Sequence, residues 1–422
     1  MELAELNPLP RQFETKGLKS NAMLIIEPRY RRLFGVLFTV FLLFGTSLTI
    51  IGATLPKILS EFGWDYLIAG TVLGAGSVAF FVSTFIAGYL VKCSGPKPTM
   101  LCGVTLEILG MAFFATTPDP LTNTLLSVLI GIGQGLVEIA VSWSTLHIDP
   151  QGSGRPMNMM HGAFAVGAIL GPLAVSVMIQ SGLDWTVIFR AMAFIFILLT
   201  VLLLLTPMPQ IDGRRPEPGE KTEGISKHPA YWLSFFALFL YMGVDLGVST
   251  WVAEYFVAVF AYSKSASALL VSLFWAGLLA GRFGVPLLYN GGRKDMVLVG
   301  LSTLAALSIN MLALLGFTPP NSITDHIGPI LVLLAGLGCS LYYPAVITLL
   351  GRCFPHAQSQ ALGFAATGGG IGAFVFPLFM SAIAERWGLR VGFATYGVFA
   401  IAMTVVAGRL VAFAKNNASP RD

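Results

Sequence analysis

The chain reads as an all-α membrane protein, with twelve transmembrane helices arranged as two pseudo-symmetric six-helix bundles. Three observations predict this. Hydrophobic residues make up 55% of the chain and charged residues only 11%, whereas a soluble domain carries about 25% charge. Apolar runs recur along almost the whole length, each close to the roughly 20 residues that a crossing needs. Glycines and prolines of the first half also return in the second at one offset. Gly131 and Gly336, Gly133 and Gly338, Pro150 and Pro355, Gly167 and Gly372, and Pro172 and Pro377 each stand 205 residues apart (336 − 131). A single glycine match carries little, but two prolines sharing the offset point to a duplicated unit.

The runs fall at about 33–55, 67–91, 98–116, 121–146, 160–181, 187–206, 230–256, 266–289, 296–317, 328–350, 359–384 and 389–413. Residues 1–32 are polar and carry six basic side chains, from Arg11 to Arg32. The first apolar run begins too late and is too long for a cleaved signal peptide, so it reads as a retained span behind an N-terminal tail. The longest interruption, 207–229, contains Pro207, Pro209, Pro216, Pro218, Arg214, Arg215, Lys221 and Lys227. It is the expected linker between a first bundle (33–206) and a second (230–413), and residues 414–422 form a short C-terminal tail. With both termini in the cytoplasm, 20 of the 25 Lys and Arg residues fall on the inner side and five on the outer, as the positive-inside rule requires. The expected location is the plasma membrane.

The formal net charge of +4 is not a nucleic-acid signal, because the basic residues are dispersed through loops. Cys93, Cys102, Cys339 and Cys353 show no metal-binding spacing and read as small apolar fillers. No nucleophile–base pair or phosphate loop appears either. The expected partner on these grounds is the lipid bilayer, with no nucleic acid, no metal and no cofactor, and the expected state is a monomer.

Taken in order, the polar residues inside the runs are the candidates for function, since a charge at membrane depth costs about 2.5–3.5 kcal/mol even on the lenient scale. The first run holds small hydroxyls (Gly45-Thr-Ser-Leu-Thr) but no acid, and the third holds Glu107, which either pairs across helices or faces a lumen. In the fourth, Gln134, Glu138 and Ser142 at i, i+4 and i+8 make a polar stripe that must avoid lipid. That stripe is either an interhelical seam or the wall of a cavity with a protonatable group. The fifth opens at His161, a loop anchor or a gate, and continues through Gly167-x-x-x-Gly171-Pro172, whose small residues admit a close neighbour and whose proline bends the helix. The seventh carries Asp245 at depth, Glu254 nearer the surface, and Trp251, which suits an interfacial belt or a stacking surface for a ligand. Trp275 lies in the eighth run and Asn310 in the ninth. Tyr343, in the tenth, is displaced from Glu138 by the repeat offset. Gly372 and Pro377 in the eleventh repeat Gly167 and Pro172.

Several of these segments resemble one known family. Twelve spans in two halves with a long central loop resemble the major facilitator superfamily. Gly135-Leu-Val-Glu138, Asn158-Met-Met-His161-Gly-Ala-Phe164 running into Gly167–Pro172, Gly243-Val-Asp245 through Trp251, and Pro344 through Arg352-Cys-Phe-Pro355 resemble its fucose-permease-like sugar:proton symporter branch and eukaryotic relatives of that branch. The resemblance implies that Glu138 occupies the position of the branch's proton-linked acid. It also implies an acid on the first span, which this chain lacks, so part of the coupling falls to Asp245. The loop signature between the second and third spans keeps Gly88, Leu90 and Gly95 but has Lys92 in place of its Asp.

The expectation is a secondary transporter of a sugar-like solute working by alternating access. Glu138 and Asp245 couple protons or substrate, and Gln134, Ser142, Trp251, Trp275, Asn310 and Tyr343 line the binding site. His161, Gly167, Gly171, Pro172, Gly372 and Pro377 supply gates and hinges. Two alternatives stand beside it: an exporter of drugs or small metabolites, whose helix 5 signature Gly167–Pro172 partly matches, and a non-transporting receptor or sensor.

Overall fold

The structure is a computed structural model that describes residues 28–148, 155–208, 225–288, 294–319, 322–354 and 358–417. Pro150 and Pro355 and most of the tails and central linker lie outside the described residues, as do the side chains of Arg155, Asn158 and Arg352. The described residues contain thirteen α-helices and no strand. They are α1 (Arg31–Phe62), α2 (Tyr66–Ser94), α3 (Pro96–Phe113), α4 (Pro120–His147), α5 (Arg155–Gln180), α6 (Val187–Leu204), α7 (Pro229–Phe260), α8 (Lys264–Leu288), α9 (Lys294–Leu315), α10 (Ser322–Cys339), α11 (Tyr342–Cys353), α12 (Gln358–Trp387) and α13 (Leu389–Asn417). Eleven segments are long and apolar enough to cross a membrane, with α10 and α11 together forming one of them. The 18-residue α3, which carries Lys97 and Glu107, is the remaining helix of the first six.

Each apolar run is a helix because lipid leaves backbone N–H and C=O groups no partner but one another. The one departure is the tenth run, which breaks into α10 and α11. Pro344 has no N–H to give the carbonyl four residues earlier, at Ser340, so the helical ladder is interrupted there. Arg282 takes over: its Nε donates to the Ser340 carbonyl at 3.2 Å. A cation at the carbonyl end of α10 also opposes the helix dipole.

The repeat is visible in which helices pack together. In the first half α1 packs on α5, α2 on α4, and α3 on α4 and α6. In the second, α7 packs on α12, α8 on α10, and α9 on α10 and α13. The halves meet where α1 and α2 cross α7 and α12, and where α5 meets α8. The 205-residue offset marks these seams. A methyl group at Gly167 would run into the Leu42 carbonyl of α1, and one at Gly372 into the Phe239 carbonyl of α7. Gly131 and Gly336 face the Gly76 and Phe274 carbonyls in the same manner. Thr46 adds a polar stitch to the α1–α5 seam, its Oγ1 reaching both the Leu42 and the Gly167 carbonyls at 3.1 Å.

Short polar contacts set the connections. Asp119 caps α4, accepting from Thr122 Oγ1 at 2.6 Å and from Thr122 N at 2.8 Å, and these bonds hold its carboxyl below the usual range. Asn123 braces the α3–α4 turn by accepting from Ala115 N at 2.8 Å, where Ala115 has a φ of 58°. Lys97 donates to the Leu204 and Thr206 carbonyls at 2.8 and 3.0 Å, closing the end of α6. Large apolar side chains such as Phe85, Leu121, Phe194, Leu307 and Leu314 point outward, as expected of surfaces wetted by lipid rather than water.

Candidate functional site

A cavity of about 380 Å³ lies between the halves, lined by residues of α1, α2, α4, α5, α7, α8, α11 and α12. That volume suits a small ligand. One wall comes from α4, where Gln134 and Glu138 stand one turn apart. The facing wall carries Tyr241 and Asp245 from α7, Trp275 and Arg282 from α8, and Tyr343 from α11. The rest of the surface is largely apolar and aromatic, including Phe44, Phe80 and Phe164.

Glu138 is half-buried and opens onto the cavity. Tyr343, related to it by the repeat offset, lines the same cavity. Asp245 is only 4% exposed, and its Oδ1 has no hydrogen-bond partner. Tyr241 and Arg282 are its polar neighbours. Arg282 also acts on His161, Tyr241 and Tyr343. It is thus the positive centre of the cavity as well as the group that satisfies the broken tenth span. His161 lies at the end of the cavity nearer the chain termini, its ring edge-on to Phe41 at 5.8 Å. Trp275 meets Phe164 of the other half edge-on at 5.5 Å.

Three candidate lining residues are placed elsewhere. Ser142 lies outside the lining because residues four apart drift around a helix by about 40° per step at 3.6 residues per turn. Gln134 and Glu138 share the cavity face, and Ser142 has rotated off it. Trp251 is fully buried against Tyr66, ring centroids 5.9 Å apart, so it offers a ligand no surface. Asn310 donates to the Ala306 and Gly397 carbonyls at 2.8 and 2.9 Å. It pins α9 to α13 where a glycine lets it in close.

Gly167, Gly171, Pro172, Gly372 and Pro377 do not line the cavity either; the three glycines sit in the α1–α5 and α7–α12 seams. Glu254 is buried rather than solvated, accepting from Tyr66 Oη at 3.3 Å.

That Tyr66–Glu254 contact belongs to a polar cluster that ties the halves together at the end of the bundle away from the termini. Tyr66 N donates to Glu385 at 3.1 Å, and Lys264 donates to Ser60 Oγ. Beside them Glu61 takes Lys57 at 3.0 Å and Trp185 Nε1 at 2.5 Å.

Two site features escaped the reading of the sequence. Arg282 falls inside the eighth apolar run, a signal hidden by counting it with the loop charges. Gln134 Nε2 donates to Ser47 Oγ at 3.1 Å, and Ser47 in turn reaches Glu107 Oε2 at 3.2 Å. No spacing within one helix announces this chain of contacts, since it joins three helices.

The family model described as Major Facilitator Superfamily matches residues 37–324 and 291–421. The chain belongs to the Major Facilitator Superfamily. It is therefore a multi-pass membrane transporter and not an enzyme. Among curated relatives, this transporter is 22% identical to a glucose/galactose transporter of Brucella abortus over 334 residues, covering 75% of this chain and 78% of the relative. Among solved structures it is similar to a nucleoside transporter at 13% identity, with a TM-score of 0.73, covering 90% of this chain and 99% of that one. It is also similar to the E. coli fucose:proton symporter at 19% identity, with a TM-score of 0.59 and the same coverages. At these identities the structural matches establish the fold alone.

Proposed function

We propose that this transporter moves a sugar-like solute by alternating access and is driven by protons. The observation that carries the reading is the pair of carboxylates, Glu138 and Asp245, on facing walls of one cavity between two packed halves. Aromatic faces at Trp275, Tyr241 and Tyr343 suit the C–H faces of a sugar ring, and Gln134, Asp245 and Arg282 suit its hydroxyls. The named relative, a glucose/galactose transporter, supports the same substrate class.

In this reading Glu138 binds the proton. An acid beside apolar and aromatic side chains favours its neutral form when the cavity closes, and gives up the proton when water enters. Residues 33–206 and 230–413 rock as units joined by 207–229, and the prolines Pro172 and Pro377 let the helices bend beyond their glycine seams. His161 stands at the cavity end through which solute meets the cytoplasm. The protein works as a monomer in the plasma membrane with both termini inside.

The test is uptake of radiolabelled D-glucose, D-galactose and L-fucose into proteoliposomes with an acid exterior. The wild type accumulates at least one of them and Glu138→Gln loses accumulation while keeping exchange. Undiminished acid-driven accumulation in Glu138→Gln removes this residue from the mechanism. Failure of all three sugars to exchange removes the substrate class.

A further inference from the structure

Glu107 stands outside the cavity and outside the mechanism just described, yet it is completely buried. It lies on α3 against the bare backbone of Gly133 on α4, where even a methyl group would collide with its side chain. Its Oε1 has no hydrogen-bond partner, and its Oε2 meets only Ser47 Oγ, at 3.2 Å. Burial and that one hydroxyl are the influences on it: no charged group from α1, α2, α4 or α6 acts on Glu107 among the described residues.

The hydrogen bonds indicate which form of the acid this site holds. Ser47 has one hydroxyl proton and three neighbours: the Phe44 carbonyl at 3.0 Å, Glu107 at 3.2 Å and Gln134 Nε2 at 3.1 Å. The Gln134 nitrogen can only donate. If Glu107 is a neutral acid, its O–H donates to Ser47 Oγ, Gln134 donates to the same oxygen, and Ser47 donates to Phe44. All three contacts are then used. If Glu107 is a carboxylate, Ser47 must turn to it and release Phe44, and a full negative charge is left with one donor in a site without a cation. Such a charge is strongly disfavoured. A glutamine would make the same bond to Ser47 with no charge at stake, and a leucine would fill the space. What the carboxyl adds over either is the ability to lose a proton.

The buried acid is also linked to the cavity wall. Ser47 connects Glu107 to Gln134, and Gln134 lines the cavity one turn from Glu138. We propose that Glu107 is a second proton-binding site of this transporter, joined to the cavity through Ser47 and Gln134. On release the O–H bond of Glu107 breaks and the proton passes to a water molecule entering past Gln134. Ser47 turns its hydroxyl from the Phe44 carbonyl to the new carboxylate, and Gln134 keeps its bond to Ser47. Reprotonation from water reverses each step. The inference deepens the proton-driven reading above and rests on it.

The experiment separates the two. Infrared difference spectra of the full-length protein in detergent, taken between acid and alkaline pH, report the C=O stretch of buried neutral carboxyl groups. The wild type should lose such a band as pH rises, Glu107→Gln should lack one component of it, and Glu138→Gln should retain that component. A Glu107→Gln spectrum identical to that of the wild type overturns the inference, whatever the transport data show. If Glu107→Gln does not fold, Ser47→Ala keeps the acid and removes its partner. The Glu107 component should then shift in frequency, and an unshifted spectrum overturns the inference. Acid-driven accumulation of D-glucose, D-galactose or L-fucose is read in parallel. Its absence in the wild type ends proton-driven transport as the reading, and with it the second site. Its presence together with an unchanged pH profile in Glu107→Gln ends the second site alone.

Discussion

The two walls of the cavity are built on the same glycine-seamed scaffold but carry different chemistry. The first half presents Glu138 on the cavity wall and, behind it, Glu107, whose carboxyl meets Ser47, which in turn takes a bond from Gln134. The second half presents Asp245 with Arg282 and Tyr241 beside it, and its tenth span is broken so that Arg282 also serves a backbone carbonyl. The comparison teaches that duplication preserved how helices approach one another while the polar residues diverged. The Asp245–Arg282 pair offers a polar solute both acceptors and donors.

The shared scaffold is broken most severely at its seams. Gly167→Leu and Gly372→Leu should each abolish recovery of folded protein, because even a methyl group meets carbonyl oxygens of α1 and α7 at these positions. Overpacking typically costs about 1–3 kcal/mol and more where backbone must move. Size-exclusion profiles of the two variants check this, and a monodisperse, transport-active form of either would show that the seams tolerate separation.

The chemical difference is sharpened next. Asp245→Asn and Arg282→Met should each lower thermal stability in detergent, while the double variant should lose less than the sum of the two. A coupling of about 0.5–3 kcal/mol is the usual range for neighbours. Additive losses would mean that the guanidinium serves only the Ser340 carbonyl. The smallest effect is expected at Asn310. Replacement by alanine removes the bond to Gly397 and should cost about 0.5–1.5 kcal/mol, seen as a lower melting temperature with transport unchanged. Altered substrate affinity in Asn310→Ala would return this residue to the binding site.

Much of the fold was legible in the sequence. Each apolar run from Leu33 onward became a helix, and the 205-residue offset turned out to mark the closest backbone approaches. The break in the tenth span was written at Pro344 but read as part of a continuous run. The site was legible only in part. Glu138 and Asp245 were found because an acid in an apolar run is conspicuous, and Gln134 because it shares a helical face with Glu138. Trp251 was offered to the cavity as a stacking surface for a ligand, and Asn310 as a hydrogen-bonding group. The structure shows that the partners are Tyr66 and Gly397 instead. Arg282 was missed because a charge near the end of a run looks like a loop charge.

The sequence by itself determined that the chain crosses a membrane many times and does so twice over in one pattern. Hydrocarbon accepts no unpaired backbone, so length and apolarity alone dictate helices, and small residues alone dictate where helices touch. Only the tertiary structure decided which buried polar groups meet. Ser47 joins Glu107 to Gln134, and Arg282 reaches Ser340, across separations in the chain that no helical period encodes. In an apolar medium, a polar atom's partner is set by which helix lies alongside it.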